Sequence, residues 1–72
     1  MKESIVLNGL ELKVLDEYFV FLLCHEELNE EYVILRRESS REYVILYNFE
    51  DDYDSAVSEF EDLKSIYGEE LQ

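Results

Sequence analysis

Proline is absent from this sequence, glycine occurs twice and cysteine once. With no proline and no Gly/Ser-rich stretch, nothing marks a linker, so residues 1–72 read as a single small domain. One thiol, Cys24, forms no internal disulfide, which fits a reducing compartment. Basic residues are scarce: 6 Lys and Arg stand against 19 Asp and Glu, a formal net charge of −13. That balance argues against direct nucleic-acid binding, which needs cationic surface for phosphates, and against attachment to anionic membranes. Long apolar runs are missing too. The longest, Tyr18 to Cys24, falls far short of the roughly 20 residues a membrane helix needs. The start, Met1-Lys2-Glu3-Ser4, has no signal-like apolar core. A soluble cytoplasmic protein is the expectation.

What is present is enough to build a core. Hydrophobic residues make up 47% and aromatics 14%, too many for a charge-expanded coil. Asn8-Gly9 is the favoured dipeptide of a two-residue type I′ hairpin. It pairs Leu7 with Leu10 and Ile5 with Leu12, and leaves Ile5, Leu7, Leu10, Leu12 and Val14 on one face. Tyr18 to Cys24 reads as a third, central strand apolar on both faces, followed by a polar connection from Glu26 to Glu30. Glu31–Arg36 and Glu42–Tyr47 are near copies of each other and form a hairpin arm around a hydrophilic turn. Centred on Ser39-Ser40, that turn sets Arg37 opposite Glu42, Ile34 opposite Ile45 and Tyr32 opposite Tyr47.

The period then changes. Tyr53, Ala56, Val57, Phe60, Leu63 and Tyr67 form one stripe of a helix, with Asp51 or Asp52 as N-cap and Gly68 where a left-handed C-cap belongs. The fold class expected is α+β: an antiparallel β-meander of four to five strands with one C-terminal amphipathic helix packed on one face. The aliphatic face, Val33, Leu35, Val44 and Leu46, is assigned to the helix. The tyrosine-rich face, with Tyr32, Tyr43 and Tyr47, is left for solvent or a partner.

Catalytic chemistry finds little support in these residues. Cys24 and His25 are strand neighbours that point to opposite faces, which separates thiol from imidazole. Carboxylates are many, but acid–base work needs a pocket that drives their pKa values apart. Asn48, Glu50, Asp52, Asp54 and Glu59 fit positions 1, 3, 5, 7 and 12 of a calcium loop, yet Tyr53 sits where the sharp turn needs glycine. No enzyme, cofactor or metal is expected.

Negative charge is the dominant feature. The C-terminal third carries Glu50, Asp51, Asp52, Asp54, Glu59, Glu61, Asp62, Glu69 and Glu70 against Lys64 alone, and Glu26, Glu27, Glu30 and Glu31 form a second cluster. Acids three or four apart on a helix lie about 5 to 6 Å from each other, a spacing comparable to successive phosphates. Such a surface keeps a small protein soluble, but it also destabilises a compact state by self-repulsion. It fits a basic nucleic-acid-binding protein as partner. Tyr32, Tyr43, Tyr47, Tyr53 and Ile66 are candidate anchors, Ile66 because the helical wheel sets it among acids.

Glu30-Glu31-Tyr32-Val33-Ile34 and the Glu50–Asp54 and Glu59–Asp62 clusters give a chain that resembles phage-encoded nucleic-acid mimics, in particular anti-CRISPR proteins. The resemblance implies stoichiometric inhibition of a Cas nuclease or another DNA-binding enzyme in a bacterial cytoplasm. The contact set expected is Glu50, Asp51, Asp52, Asp54, Glu59, Glu61, Asp62, Glu26, Glu27, Glu30, Tyr32, Tyr43, Tyr47 and Ile66. The alternative is a non-enzymatic host regulatory or assembly module that uses the tyrosine-rich sheet face. Monomer and homodimer both remain open.

Overall fold

The structure is a computed structural model that describes residues 4–70. Five strands, β1 (Ser4–Leu7), β2 (Leu10–Tyr18), β3 (Phe21–Glu26), β4 (Glu31–Ser39) and β5 (Glu42–Asn48), precede one helix, α1 (Tyr53–Glu70). The strands form one antiparallel sheet in chain order, so each pairs with the one before it. The class is α+β, as the patterning indicated. The first hairpin has the expected register, Leu7 with Leu10 and Ile5 with Leu12. Asn8 and Gly9 both take positive φ, 54° and 80°, as a type I′ turn requires.

Three strand features depart from the sequence reading. The run Tyr18 to Cys24 is broken by a turn: Tyr18 ends β2, and β3 begins only at Phe21 and continues through Glu26. Phe19 makes that turn at φ 56°, in a region that costs an L-residue about 1 kcal/mol, with no Gly, Asn or Asp to announce it. Second, the β4–β5 hairpin turns at Ser40-Arg41, with Ser39 opposite Glu42 and Arg37 opposite Tyr43. Third, bulges add one residue at Leu15 in β2, at Glu38 in β4 and at Leu46 in β5. Each bulge bends its strand and deepens the twist.

That bending explains how both faces are buried although one helix covers only one. On the first face Ile5, Leu12, Leu22, Cys24, Val33 and Leu35 form a core, with Leu7, Val14 and Tyr43 packed beside it. Leu22, Cys24 and Leu35 have no exposed surface, because the curled sheet closes over its own aliphatic side. On the second face Phe21, Leu23 and Ile34 meet Ala56 and Phe60 of the helix, flanked by Leu15, Tyr18, Tyr32 and Leu46. The helix therefore lies on the face opposite to the one expected. The bulges also put the tyrosines out of phase: Tyr43 packs with the aliphatic core, Tyr32 under the helix, and Tyr47 pairs with Ile34. No single tyrosine-rich face exists.

The helix stripe is as read, with Ala56 and Phe60 fully covered and Val57, Leu63 and Tyr67 at its edges. Asp52 is the N-cap: its carboxylate accepts from the Ser55 N–H at 3.1 Å and the Ser55 hydroxyl at 2.7 Å. Gly68 does not end the helix, which runs on to Glu70. It allows a close approach instead, since a Cβ there would lie 3.1 Å from the Tyr18 hydroxyl. Lys64 reaches over the Phe60 ring to Asp16 Oδ2 at 2.8 Å, which ties the helix to β2.

Candidate functional site

Strand direction decides where the charges gather. In an antiparallel meander alternate turns share an end, so the β3–β4 turn and the β5–α1 turn emerge together. Two backbone bonds join them beyond the last strand pair: Tyr32 N–H donates to the Glu50 carbonyl at 2.7 Å, and Phe49 N–H to the Tyr32 carbonyl at 2.8 Å. Between the turns lies a shallow notch of about 310 Å³ lined by Asn29, Glu30, Glu31, Glu50 and Asp51. With Asp52 and Asp54 at the helix start, six acids and no base stand in residues 30–31 and 50–54. The positive end of the helix dipole points into this group, which offsets part of its self-repulsion.

Glu30 and Glu50 both hold positive φ, 52° and 56°. Gly or Asn takes that conformation at less cost, so the backbone at both positions is strained around an acidic side chain. Asn48 Oδ1 accepts the Glu50 N–H at 2.8 Å and fixes the second turn.

The basic residues are committed elsewhere. Lys13 pairs with Glu27, Arg36 with Glu38, Arg37 with Glu17, and Lys64 with Asp16 and Glu61. Lys13 and Lys64 are held more basic than usual by hydrogen bonds to Glu27 and Asp16, whose carboxyls are correspondingly held below the usual range. Arg41 alone among the described basic residues has no ion pair. Arg36, Arg37, Arg41 and Lys64 lie toward the end where the helix finishes, marked by Tyr67 against Phe21 at 4.9 Å between ring centres. Four of the five described bases thus lie away from the acidic pole, and three of those four sit beside acid partners of their own.

The expected contact residues divide accordingly. Glu30, Glu50, Asp51 and Asp54 are exposed on the acidic pole, and Glu59, Asp62 and Ile66 continue along the helix, Ile66 at 54% exposure. Asp52 caps the helix, and the Ser55 bonds hold its carboxyl below the usual range. Glu27 and Glu61 are engaged by Lys13 and Lys64. Glu26 leaves the set: it is buried at 3%, where its carboxylate accepts from the Leu28 and Asn29 N–H groups at 2.6 and 2.8 Å. Tyr32 stacks on His25 and meets the Tyr53 ring at a tilt, and Tyr43 lies beneath Arg37, so neither is a free anchor. Tyr47 is 42% exposed beside Phe49. Glu31, absent from the expected set, lines the notch; its place at the strand start beside Glu30 was the available signal.

Among the described residues no three His, Cys, Asp or Glu side chains are grouped to hold a metal ion. The acids are spread over a surface instead. Cys24 and His25 do face opposite ways: Cys24 is in the aliphatic core, where burial pushes its thiol up to about 12, while His25 stacks on Tyr32. No helix among the described residues is long and apolar enough to cross a membrane. Comparison with protein-family models, curated proteins and solved structures finds no match to this chain.

Proposed function

We propose that this chain is a non-enzymatic inhibitor whose acidic pole occupies the cationic groove of a nucleic-acid-binding protein. Its carboxylates stand where phosphates stand. The observation that carries this reading is the convergence of six uncompensated acids from two turns and a helix start, while four of the five described bases are paired elsewhere. The acids sit on backbone fixed by the Tyr32–Glu50 and Phe49–Tyr32 bonds, so little ordering entropy opposes binding. Electrostatic steering makes association fast and salt-sensitive. Tyr53, 50% exposed at the helix start, supplies apolar contact beside the acids, and Ile66, 54% exposed, does so farther along the helix near Asp62. The resemblance to anti-CRISPR proteins makes a Cas effector the first target class to try.

Reversing Glu50, Asp51 and Asp54 to lysine tests this. These side chains are exposed, so the fold survives; binding to the captured target falls by more than about tenfold, the loss expected when several charge pairs become repulsive. Unchanged binding by the triple variant contradicts the reading. The assembly-module alternative loses its tyrosine-rich face, because the bulges distribute Tyr32, Tyr43 and Tyr47 over different environments.

A further inference from the structure

The sheet has two edges, and they are unlike. β1 is four residues long, and shortness itself limits pairing. β5 is seven residues long and ends the sheet, while the helix packs mainly on β3 and β4. From Tyr43 to Asn48 it carries no charge and no proline to block a ladder. Among the described residues no strand pairs with its outer side, so the edge is a template for another one. Apolar side chains flank it on both faces. Ile45 is in register with Leu35 of the aliphatic core, and Val44 and Tyr47 with Arg36 and Ile34 on the helix side. Val44, Ile45 and Tyr47 are 41%, 45% and 42% exposed.

The two ends of β5 differ in charge, and that difference selects the occupant. Past Asn48 the chain continues beside Tyr32 into Glu50 and Asp51, with Glu30 and Glu31 across the notch and no base among them. At the other end Arg36, Arg37 and Arg41 offset Glu17, Glu38 and Glu42. We propose that β5 takes up an extended segment of the cationic target as an added antiparallel strand, on the reading above that the acidic pole is what that target contacts. The segment is apolar along Tyr43–Asn48 and carries lysines or arginines at its N-terminal end. Antiparallel pairing continues the pattern of every pair in the sheet and is the more stable per residue, and it sets the first residues of the segment beside Glu50. Main-chain hydrogen bonds then supply affinity, contacts with Val44, Ile45 and Tyr47 supply register, and the carboxylates select a basic end. A second copy of β5 offers no such end, because its own start is close to neutral. The bulge at Leu46 shortens the ladder, so the charge contacts are needed to hold it.

Fluorescence anisotropy on the full chain at physiological salt tests this with a labelled peptide, acetylated and amidated Lys-Lys-Lys-Val-Thr-Val-Tyr-Val-Thr. Two controls keep its charge: the reversed sequence, with the lysines last, and the same sequence N-methylated beyond the lysines, which removes the main-chain donors. The first peptide is expected to bind about tenfold or more tightly than the N-methylated one, the effect of a few lost hydrogen bonds, and more tightly than the reversed one. Ile45→Lys, at an exposed position, is expected to abolish that preference with an unchanged circular-dichroism spectrum. Equal binding of the first and N-methylated peptides overturns strand pairing and leaves the acidic-pole reading standing. A reversed peptide that binds as well as the first overturns the basic N-terminal end. The Glu50→Lys, Asp51→Lys, Asp54→Lys variant is expected to weaken the first peptide by about tenfold or more. Full-strength binding by that variant overturns the acidic-pole reading and this proposal together. Self-association of the free chain that Ile45→Lys abolishes overturns the proposal in favour of a second copy.

Discussion

Tyr32 and Glu50 are joined by a 2.7 Å backbone hydrogen bond, and that bond locks the start of β4 to the turn that launches the helix. Glu31 and Asp51, each one residue away, are thereby fixed beside one notch. A surface of separate flexible acids becomes a surface of defined shape. Several measurable consequences depend on it.

The acidic pole is held at a cost to stability. Glu30→Gly and Glu50→Gly each relieve a left-handed backbone and remove one like charge. Each is expected to stabilise the fold by about 0.5 kcal/mol or more in urea unfolding, after allowance for the added freedom of the unfolded glycine. Destabilisation by both variants contradicts the strain argument.

One of the two cores lies under the helix, where Phe60 is buried, and Ile66 is exposed on the helix surface. Phe60→Ala is expected to cost about 3–5 kcal/mol, whereas Ile66→Ala stays within about 0.5 kcal/mol of wild type. Thermal unfolding separates the two. A large loss from Ile66→Ala would place that residue in the core rather than on the contact surface.

Gly68 and Tyr18 form a coupled pair. Glycine inside a helix costs about 1 kcal/mol relative to alanine, but here the Tyr18 hydroxyl crowds the position. Gly68→Ala is expected to stabilise a Tyr18→Phe background by about 1 kcal/mol and the wild type by less. Equal effects in both backgrounds show that the contact carries no energy.

Cys24 makes stability fall at alkaline pH. Its thiol is raised from 9.0 to about 12 on folding, so the native state keeps a proton that the unfolded chain releases. The stabilisation is fully present below pH 9 and is lost as pH rises towards 12, with a limiting slope of about 1.4 kcal/mol per pH unit. Subtracting the profile of a Cys24→Ala variant removes the tyrosine contribution. An identical slope in that variant contradicts the burial of the thiol.

The sequence showed the elements more clearly than their relative phase. Asn8-Gly9, the helix stripe through Ala56 and Phe60, and the opposed directions of Cys24 and His25 all follow from local periodicity and turn chemistry. The bulges at Leu15, Glu38 and Leu46 do not, because each inserts a residue without any glycine to mark it. One such insertion reverses the face of everything after it, which is why Tyr43 and Tyr47 no longer share a face. The side the helix takes has another cause: β4 is apolar on both faces, so its alternation left either Val33 and Leu35 or Ile34 for the helix to cover. The buried role of Glu26 was hidden for a similar reason: in a run of acids, nothing local distinguishes the carboxylate that accepts two backbone N–H groups. The helix acids were legible from the wheel; the notch was not, since it joins residues twenty apart in the chain.

The most direct test of groove occupation is competition with nucleic acid. Immobilised chain captures its target from bacterial lysate at low salt, and duplex DNA is then titrated against the complex. The account predicts that DNA displaces the chain completely and that a Glu50→Lys, Asp51→Lys, Asp54→Lys variant captures nothing DNA can release. A stable ternary complex of target, DNA and chain at full occupancy of both would contradict it.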